Sequence, residues 1–234
     1  AVHEHSDMLR ASIASPGNDH RLGANEAPPA IISVFLGSLL EKIVNDIEKG
    51  VASKATEAQI INLGIEHIPD VAKDYTDRNR TSPFAFTGNK FEFRAVGASA
   101  NVSVPLTVLN AAVADAFQQA TTKLKFLIKK KDSSRDEAVM EVIRQFVKET
   151  KAVRFEGNNY SKEWQQEAKK RGLPILPTTA DAVAVMGDAD ATEFLVKTKV
   201  LSKDEIASRH HIAMERYNKT LEIELATLVD MVRG

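Results

Sequence analysis

The chain has 234 residues, 43% of them hydrophobic, and its 31 basic and 32 acidic side chains leave a formal net charge of −1. That is a globular composition, long enough to bury a full core in one or two domains, and its interspersed charges offer no broad basic surface for nucleic acid. Cysteine is absent, which excludes disulfides, thiol catalysis and Cys-ligated metals, and no apolar run is long enough to cross a bilayer.

The chain opens Ala1-Val2-His3 without an initiator Met, already in helical pattern, and reads as a piece of something longer. Met8, Leu9 and Ile13 predict a helix over 3–15, ended by Pro16 and Gly17. His3 and His5 point to different faces of that helix, so they cannot chelate one ion as an i, i+4 pair could. A turn-forming loop over 17–29 carries the isolated charges His20, Arg21 and Glu26. Ala30 to Leu36 is rich in β-branched residues and predicts a buried strand; helical spacing follows to a stop at Gly50. The stretch to Lys73 is weakly patterned.

After Gly97, Pro105 suits the first turn of a helix running to about Lys131, where Lys129, Lys130 and Lys131 complement the helix dipole. The second part is helical throughout. Arg135–Thr150 and Tyr160–Arg171 are amphipathic, Thr178–Met186 and Asp190–Val196 are short, and Ser202 with Glu205 forms a capping box for a long last helix. His210 and His211 are adjacent, face apart and fit packing or surface roles. Four Asn-X-Ser/Thr sequons, at Asn79, Asn101, Asn159 and Asn218, have no signal peptide before them and read as accidents of composition.

Chemistry is concentrated between Asp77 and Arg94. On a strand, Lys90, Glu92 and Arg94 share one face and Phe91 and Phe93 the other, giving a charged wall backed by a core. Arg78, Arg80, Lys90 and Arg94 around a single carboxylate suit phosphate, a substrate carboxylate and a divalent cation. The same five-residue pattern also fits a solvated hairpin face whose charges merely balance.

Three stretches in order carry a resemblance. The loop His20-Arg21-Leu22-Gly23-Ala24-Asn25-Glu26-Ala27-Pro28, the tripeptide Arg78-Asn79-Arg80, and Phe91-Glu92-Phe93-Arg94 followed by Ala100-Asn101 resemble glutamine synthetase, and their wording resembles the type III branch. The likeness covers essentially the whole chain. It implies an α+β fold: residues 1–132 as the C-terminal part of the family's catalytic antiparallel half-barrel, and 133–234 as a helical C-terminal extension. It also implies that the N-terminal domain and most metal-binding carboxylates lie before Ala1.

The resemblance implies ATP-dependent ligation of ammonia to the γ-carboxylate of glutamate through a γ-glutamyl phosphate, with ATP and Mg2+ or Mn2+ as cofactors. Glu92 would ligate the metal, Arg80 would contact the transferred phosphoryl group, Arg94 and Arg21 would hold glutamate, and Lys90 would stand beside the nucleotide. Glu26 would be the flap carboxylate that closes over glutamate and accepts a proton from ammonium. A cytoplasmic homo-oligomeric ring, with no nucleic acid or membrane partner, is implied too. Two departures stand out: the Arg21–Glu26 interval is one residue shorter than in the type I pattern, and Ala85 replaces an expected second phosphate-binding arginine. A ligase for another amine and an inactive structural or regulatory relative are the alternatives; Glu26 favours ammonia, and Ala85 favours inactivity.

Overall fold

The computed structural model describes residues 1–19, 29–51, 60–61, 71–72, 79–95, 97, 100–131 and 134–234. Arg21, Glu26 and Arg78 lie outside the described residues. The architecture is mostly helical, with a small three-stranded sheet near the middle of the chain.

The first helix is shorter than its sequence pattern: α1 spans Ser6–Ser12. Pro16 does not merely end it but opens a one-turn helix, α2 (Pro16–Asp19), as proline's missing N–H and fixed φ allow at a first helical position. The apolar run 30–36 yields only a two-residue strand, β1 (Val34–Phe35). The reason is packing, since Ile31 enters one core and Ile32 another, both almost fully buried. Helix α3 (Ser38–Lys49) follows, ended by Gly50 in the left-handed conformation at φ 71°. Strands β2 (Ile60–Ile61) and β3 (Val71–Ala72) pair antiparallel.

β4 (Phe84–Phe86) and β5 (Phe91–Phe93) form an antiparallel hairpin, but β1 pairs with β4 in parallel, correcting the expectation of a purely antiparallel sheet. A parallel pair needs a long crossover, and residues 36–83 with α3 supply it. The sheet order is β1-β4-β5. Beyond the open edge of β1, the backbone N–H of Phe155 donates to the Val34 carbonyl at 3.0 Å.

Helix α4 (Ser103–Lys131) is long, and α5 (Arg135–Glu149) starts from a capping box in which Ser134 and Glu137 satisfy each other's backbone N–H. A 3-10 turn over Lys151–Val153 leads to α6 (Lys162–Lys170), capped by Ser161. α7 (Thr179–Ala184) has its own box from Thr178 and Asp181. A second 3-10 turn, Val185–Gly187, lets the His210 ring approach so closely that a Cβ on Gly187 would sit 2.8 Å from Cε1. α8 (Ala189–Lys197) is capped by Asp188, and α9 (Lys203–Arg233) starts from the expected Ser202–Glu205 box.

The main core interleaves the two ends of the chain. Met8 and Leu9 of α1 pack with Ile32, Val108 and Ala112 of α4, Phe194 and Leu195 of α8, and Ile206 of α9. A second core gathers Ile31, Val153, Trp164, Ala168 and Leu173, with Phe155 stacked on Trp164 at 3.8 Å. Each fully buried large apolar side chain stabilises by about 1.5–3 kcal/mol, so these contacts hold the helices around the sheet. Among the described residues no helix is long and apolar enough to cross a membrane.

Candidate active site

The β4–β5 hairpin turns through Gly88, at φ 92°, and Thr87 N–H donates to the Lys90 carbonyl at 2.9 Å. A positive φ of this size suits glycine, which has no Cβ to clash. The register pairs Ala85 with Glu92, Phe84 with Phe93 and Phe86 with Phe91. Directly opposed residues share a face, so the aromatic rings stand on one side and Glu92 with Ala85 on the other, as the period of two predicts.

The aromatic side is less of a core than expected. Phe84 stacks on Phe91 with centroids 5.5 Å apart, yet Phe91 remains 48% exposed. Phe84 and Phe91 border a cavity of about 360 Å³ lined also by Val34 and Leu36 and by Ile143 and Phe146 of α5. Arg80, Lys90, Glu92 and Arg94 take no part in lining that cavity.

On the charged side the side chains converge. Lys90 Nζ lies 3.3 Å from Glu92 Oε1, and Arg94 holds Glu92 Oε2 through Nε and a terminal nitrogen, both at 3.3 Å. The Lys90 ammonium, and after it the Arg94 guanidinium, hold the Glu92 carboxyl below the usual carboxylate range. Glu92 is therefore ionised at neutral pH, and at 37% side-chain exposure it is open to a ligand. The other terminal nitrogen of Arg94 donates to the carbonyl of Asn79, the residue before Arg80. One guanidinium thus ties the strand to the turn that carries Arg80.

That turn is built by Asn79. Its Oδ1 accepts from Thr81 N–H at 3.0 Å and from Thr81 Oγ1 at 2.7 Å, a side-chain mimic of a backbone turn. Its Nδ2 donates to the Gly157 carbonyl at 2.8 Å. Arg80 itself is exposed and has no hydrogen-bond or ion-pair partner among the described residues. Ala85 is 1% exposed beneath Glu92, so the missing arginine leaves no cation at that position, and Lys90 and Arg94 supply the positive charge on this face.

Further contacts hold the two ends of the segment 20–28. Asp19 accepts from Thr179 N–H at 2.7 Å and Thr179 Oγ1 at 2.8 Å, and the Ala30 carbonyl accepts from Leu176 N–H at 2.8 Å. Buried Arg10 donates from Nε to the Leu176 carbonyl at 3.1 Å. No local pattern announces these pairs, which join residues well over a hundred positions apart. His5 also finds a distant partner: Nε2 lies 3.1 Å from Asp115 Oδ2, and the ring stacks on Phe194 at 4.0 Å. One ligand atom each from Glu4, His5 and Asp115 lie within 4.8 Å of one another, so a cation held near His5 would take its other ligands from Glu4 and α4, not from His3.

A family model described as the glutamine synthetase C-terminal domain matches residues 138–234. Over 232 residues, 99% of this chain and 31% of the relative, the sequence is 45% identical to the type-3 glutamine synthetase of Dictyostelium discoideum. The chain belongs to the type III glutamine synthetase family. A glutamine synthetase of Bacteroides fragilis is 42% identical over 98% of the chain and 32% of its own length, and one of Butyrivibrio fibrisolvens is 39% identical over 100% and 33%. The chain thus spans about a third of the length of these curated glutamine synthetases, and the C-terminal-domain match falls on α5 to α9.

Proposed function

We propose that the chain is the C-terminal portion of a glutamate–ammonia ligase subunit, joining ammonia to the glutamate γ-carboxylate through a γ-glutamyl phosphate at the expense of ATP. The observation that carries this reading is the ionised Glu92 carboxylate held between Lys90 and Arg94, with Arg94 also bonded to the turn that presents Arg80. Phosphoryl transfer asks mainly for positioning and charge neutralisation, and a fixed carboxylate among cations serves both.

Arg80, exposed and without a partner among the described residues, would contact the migrating phosphoryl group. Arg94, already oriented by two acceptors, would hold a glutamate carboxylate together with Arg21, and Lys90 would neutralise nucleotide charge. Glu26 would accept a proton from ammonium. A hard divalent cation takes about six oxygen ligands. Glu92, ionised and partly exposed, fits one of those positions and cannot fill the set, so the remaining carboxylates would come from other parts of the subunit. When bound, Mg2+ or Mn2+ supplies charge compensation to the ATP phosphates.

In this reading residues 1–132 complete a half-barrel begun elsewhere in the subunit and 133–234 form a helical extension. The assembly is a cytoplasmic homo-oligomeric ring. The test is Glu92→Ala in the complete subunit, with Glu92→Gln beside it. Glutamine formation should vanish in both and the Mn2+ bound per subunit, counted by calorimetry, should fall; wild-type turnover and stoichiometry would dismiss the role of Glu92. A second reading, a catalytically silent relative, draws on Ala85, which leaves the position opposite Glu92 without the expected cation. Glutamine formation by the unaltered subunit would dispose of it.

A further inference from the structure

Asn159 is 3% exposed, lies in the segment between the 3-10 turn after α5 and helix α6, and is the junction of three parts of the chain. Its Oδ1 accepts a short hydrogen bond from Ser33 Oγ, just before β1, and Ser33 is itself fully buried. Its backbone N–H donates to Thr81 Oγ1 at 3.1 Å, and its Nδ2 lies 3.4 Å from both Thr81 Oγ1 and the Gly157 carbonyl. Gly157 in turn accepts from Asn79 Nδ2 at 2.8 Å, and its carbonyl lies 3.2 Å from Thr81 Oγ1, whose one proton goes to Asn79 Oδ1. The residues on either side of Arg80 are therefore fastened by a segment more than seventy positions later in the chain.

An amide suits this junction because its oxygen accepts from Ser33 while its nitrogen faces two acceptors, which an ionised carboxylate, having no proton to donate, cannot do. Such groups are costly to leave unpaired when buried, so the network selects one placement of the turn. The placement matters because Arg94 reaches the Asn79 carbonyl, so moving the turn moves Arg80 and loosens Arg94 on Glu92 together.

We infer that Asn159 is a positioning residue for Arg80 and Arg94: the segment 157–159 of the helical part of the chain sets the geometry of the phosphoryl-binding wall. The inference rests on the ligase reading given above for Arg80. It assigns a catalytic purpose to a stretch that contains none of the expected site residues, and it makes the helical extension part of the site's machinery.

The experiment is a double-mutant cycle in the complete subunit, with kcat and the KM values for ATP, glutamate and ammonium measured for Asn159→Ala, Arg80→Ala and the pair. A small misplacement of a catalytic group can cost on the order of 100-fold. Asn159→Ala should therefore lower kcat/KM for ATP by at least about tenfold, and in the Arg80→Ala background it should lower it by clearly less, about threefold, because only the route through Arg94 remains. A purely structural Asn159 would give losses that multiply, and that result would overturn the inference. So would Asn159→Ala at wild-type turnover beside an impaired Arg80→Ala, which leaves the ligase reading standing. Arg80→Ala at wild-type turnover would remove the role given to Arg80 and the inference with it. Should Asn159→Ala fail to fold, Thr81→Val removes the acceptor of the Asn159 N–H from the partly buried side of the turn and is read in the same cycle.

Discussion

The helices from α5 onward and the β4–β5 hairpin are stabilised in opposite ways. Each of those helices begins with its own cap: Ser134, Ser161, Thr178, Asp188 and Ser202 all accept from a backbone N–H two or three residues on. The hairpin has strands of three residues, a half-open aromatic face and a polar face tied through Arg94 to the 79–81 turn, which Gly157 and Asn159 bond from far along the chain. A helix can specify itself from neighbours in sequence, whereas this wall of charges is specified by contacts made across the chain. The charged hairpin lies where distant parts of the chain meet, and the self-specified helices provide the frame that brings them there.

The contrast breaks if the helical part can be unsettled without disturbing the wall. The largest expected effect on stability is Trp164→Ala, which removes a ring 1% exposed, stacked on Phe155 and covered by the Arg171 guanidinium 5.2 Å from its centroid. Emptying such a site costs about 3–5 kcal/mol, read as a lower denaturant midpoint. Because Trp164 and Val153 flank the 157–159 segment in sequence and share a core, a loss of the proposed ligase activity of the complete subunit before global unfolding would sharpen the link between frame and wall.

Ser33→Ala comes next. It leaves the buried Asn159 Oδ1 without its donor, and an unpaired buried acceptor costs about 1–3 kcal/mol. Equilibrium unfolding measures it, and no change would show that the network does not hold β1 to the 79–82 turn. Ser202→Ala should cost about 1 kcal/mol by removing a helix cap. Its partner Glu205 has a carboxyl lowered chiefly by the Ser202 backbone N–H and then by the Ser202 hydroxyl. A depressed folded-state pKa contributes stability above the ordinary Glu value of about 4.3, lost as pH falls through that region toward the folded value. Stability measured against pH should therefore decline less steeply below about pH 5 in Glu205→Gln than in the wild type. The smallest effect belongs to Lys219→Ala on the exposed side of α9, where the 2.6 Å pair with Glu215 is solvent-screened and unfolding should be unchanged.

These differences track what the sequence announces. The Ser202–Glu205 box, the stop at Gly50 and the alternation of Lys90, Glu92 and Arg94 against Phe91 and Phe93 rest on neighbours within a few positions, and the structure has each of them. The seven-residue apolar run 30–36 is rich in strand-formers yet yields a two-residue strand, because burial of Ile31 and Ile32 in separate cores overrides propensity. The parallel pairing of β1 with β4 and the exposure of Phe91 depend on where α3 and α5 settle, which no short pattern encodes. Asn159 was visible only as part of a sequon; its partners Ser33 and Thr81 are 126 and 78 positions away.

Helix α9 has 31 residues, about 46 Å at 1.5 Å per residue, and its one fully buried side chain, Ile206, lies in the first turn. Leu225, Leu228 and Val232 are 62%, 56% and 79% exposed toward the far end. The element is a cantilever: a tilt of about 10° at its root would sweep the tip through roughly 8 Å, by the same rise per residue. A spin label at Met231 would therefore magnify small rearrangements around Ile206 into a readable distance change, making the last helix a built-in pointer on the state of the core.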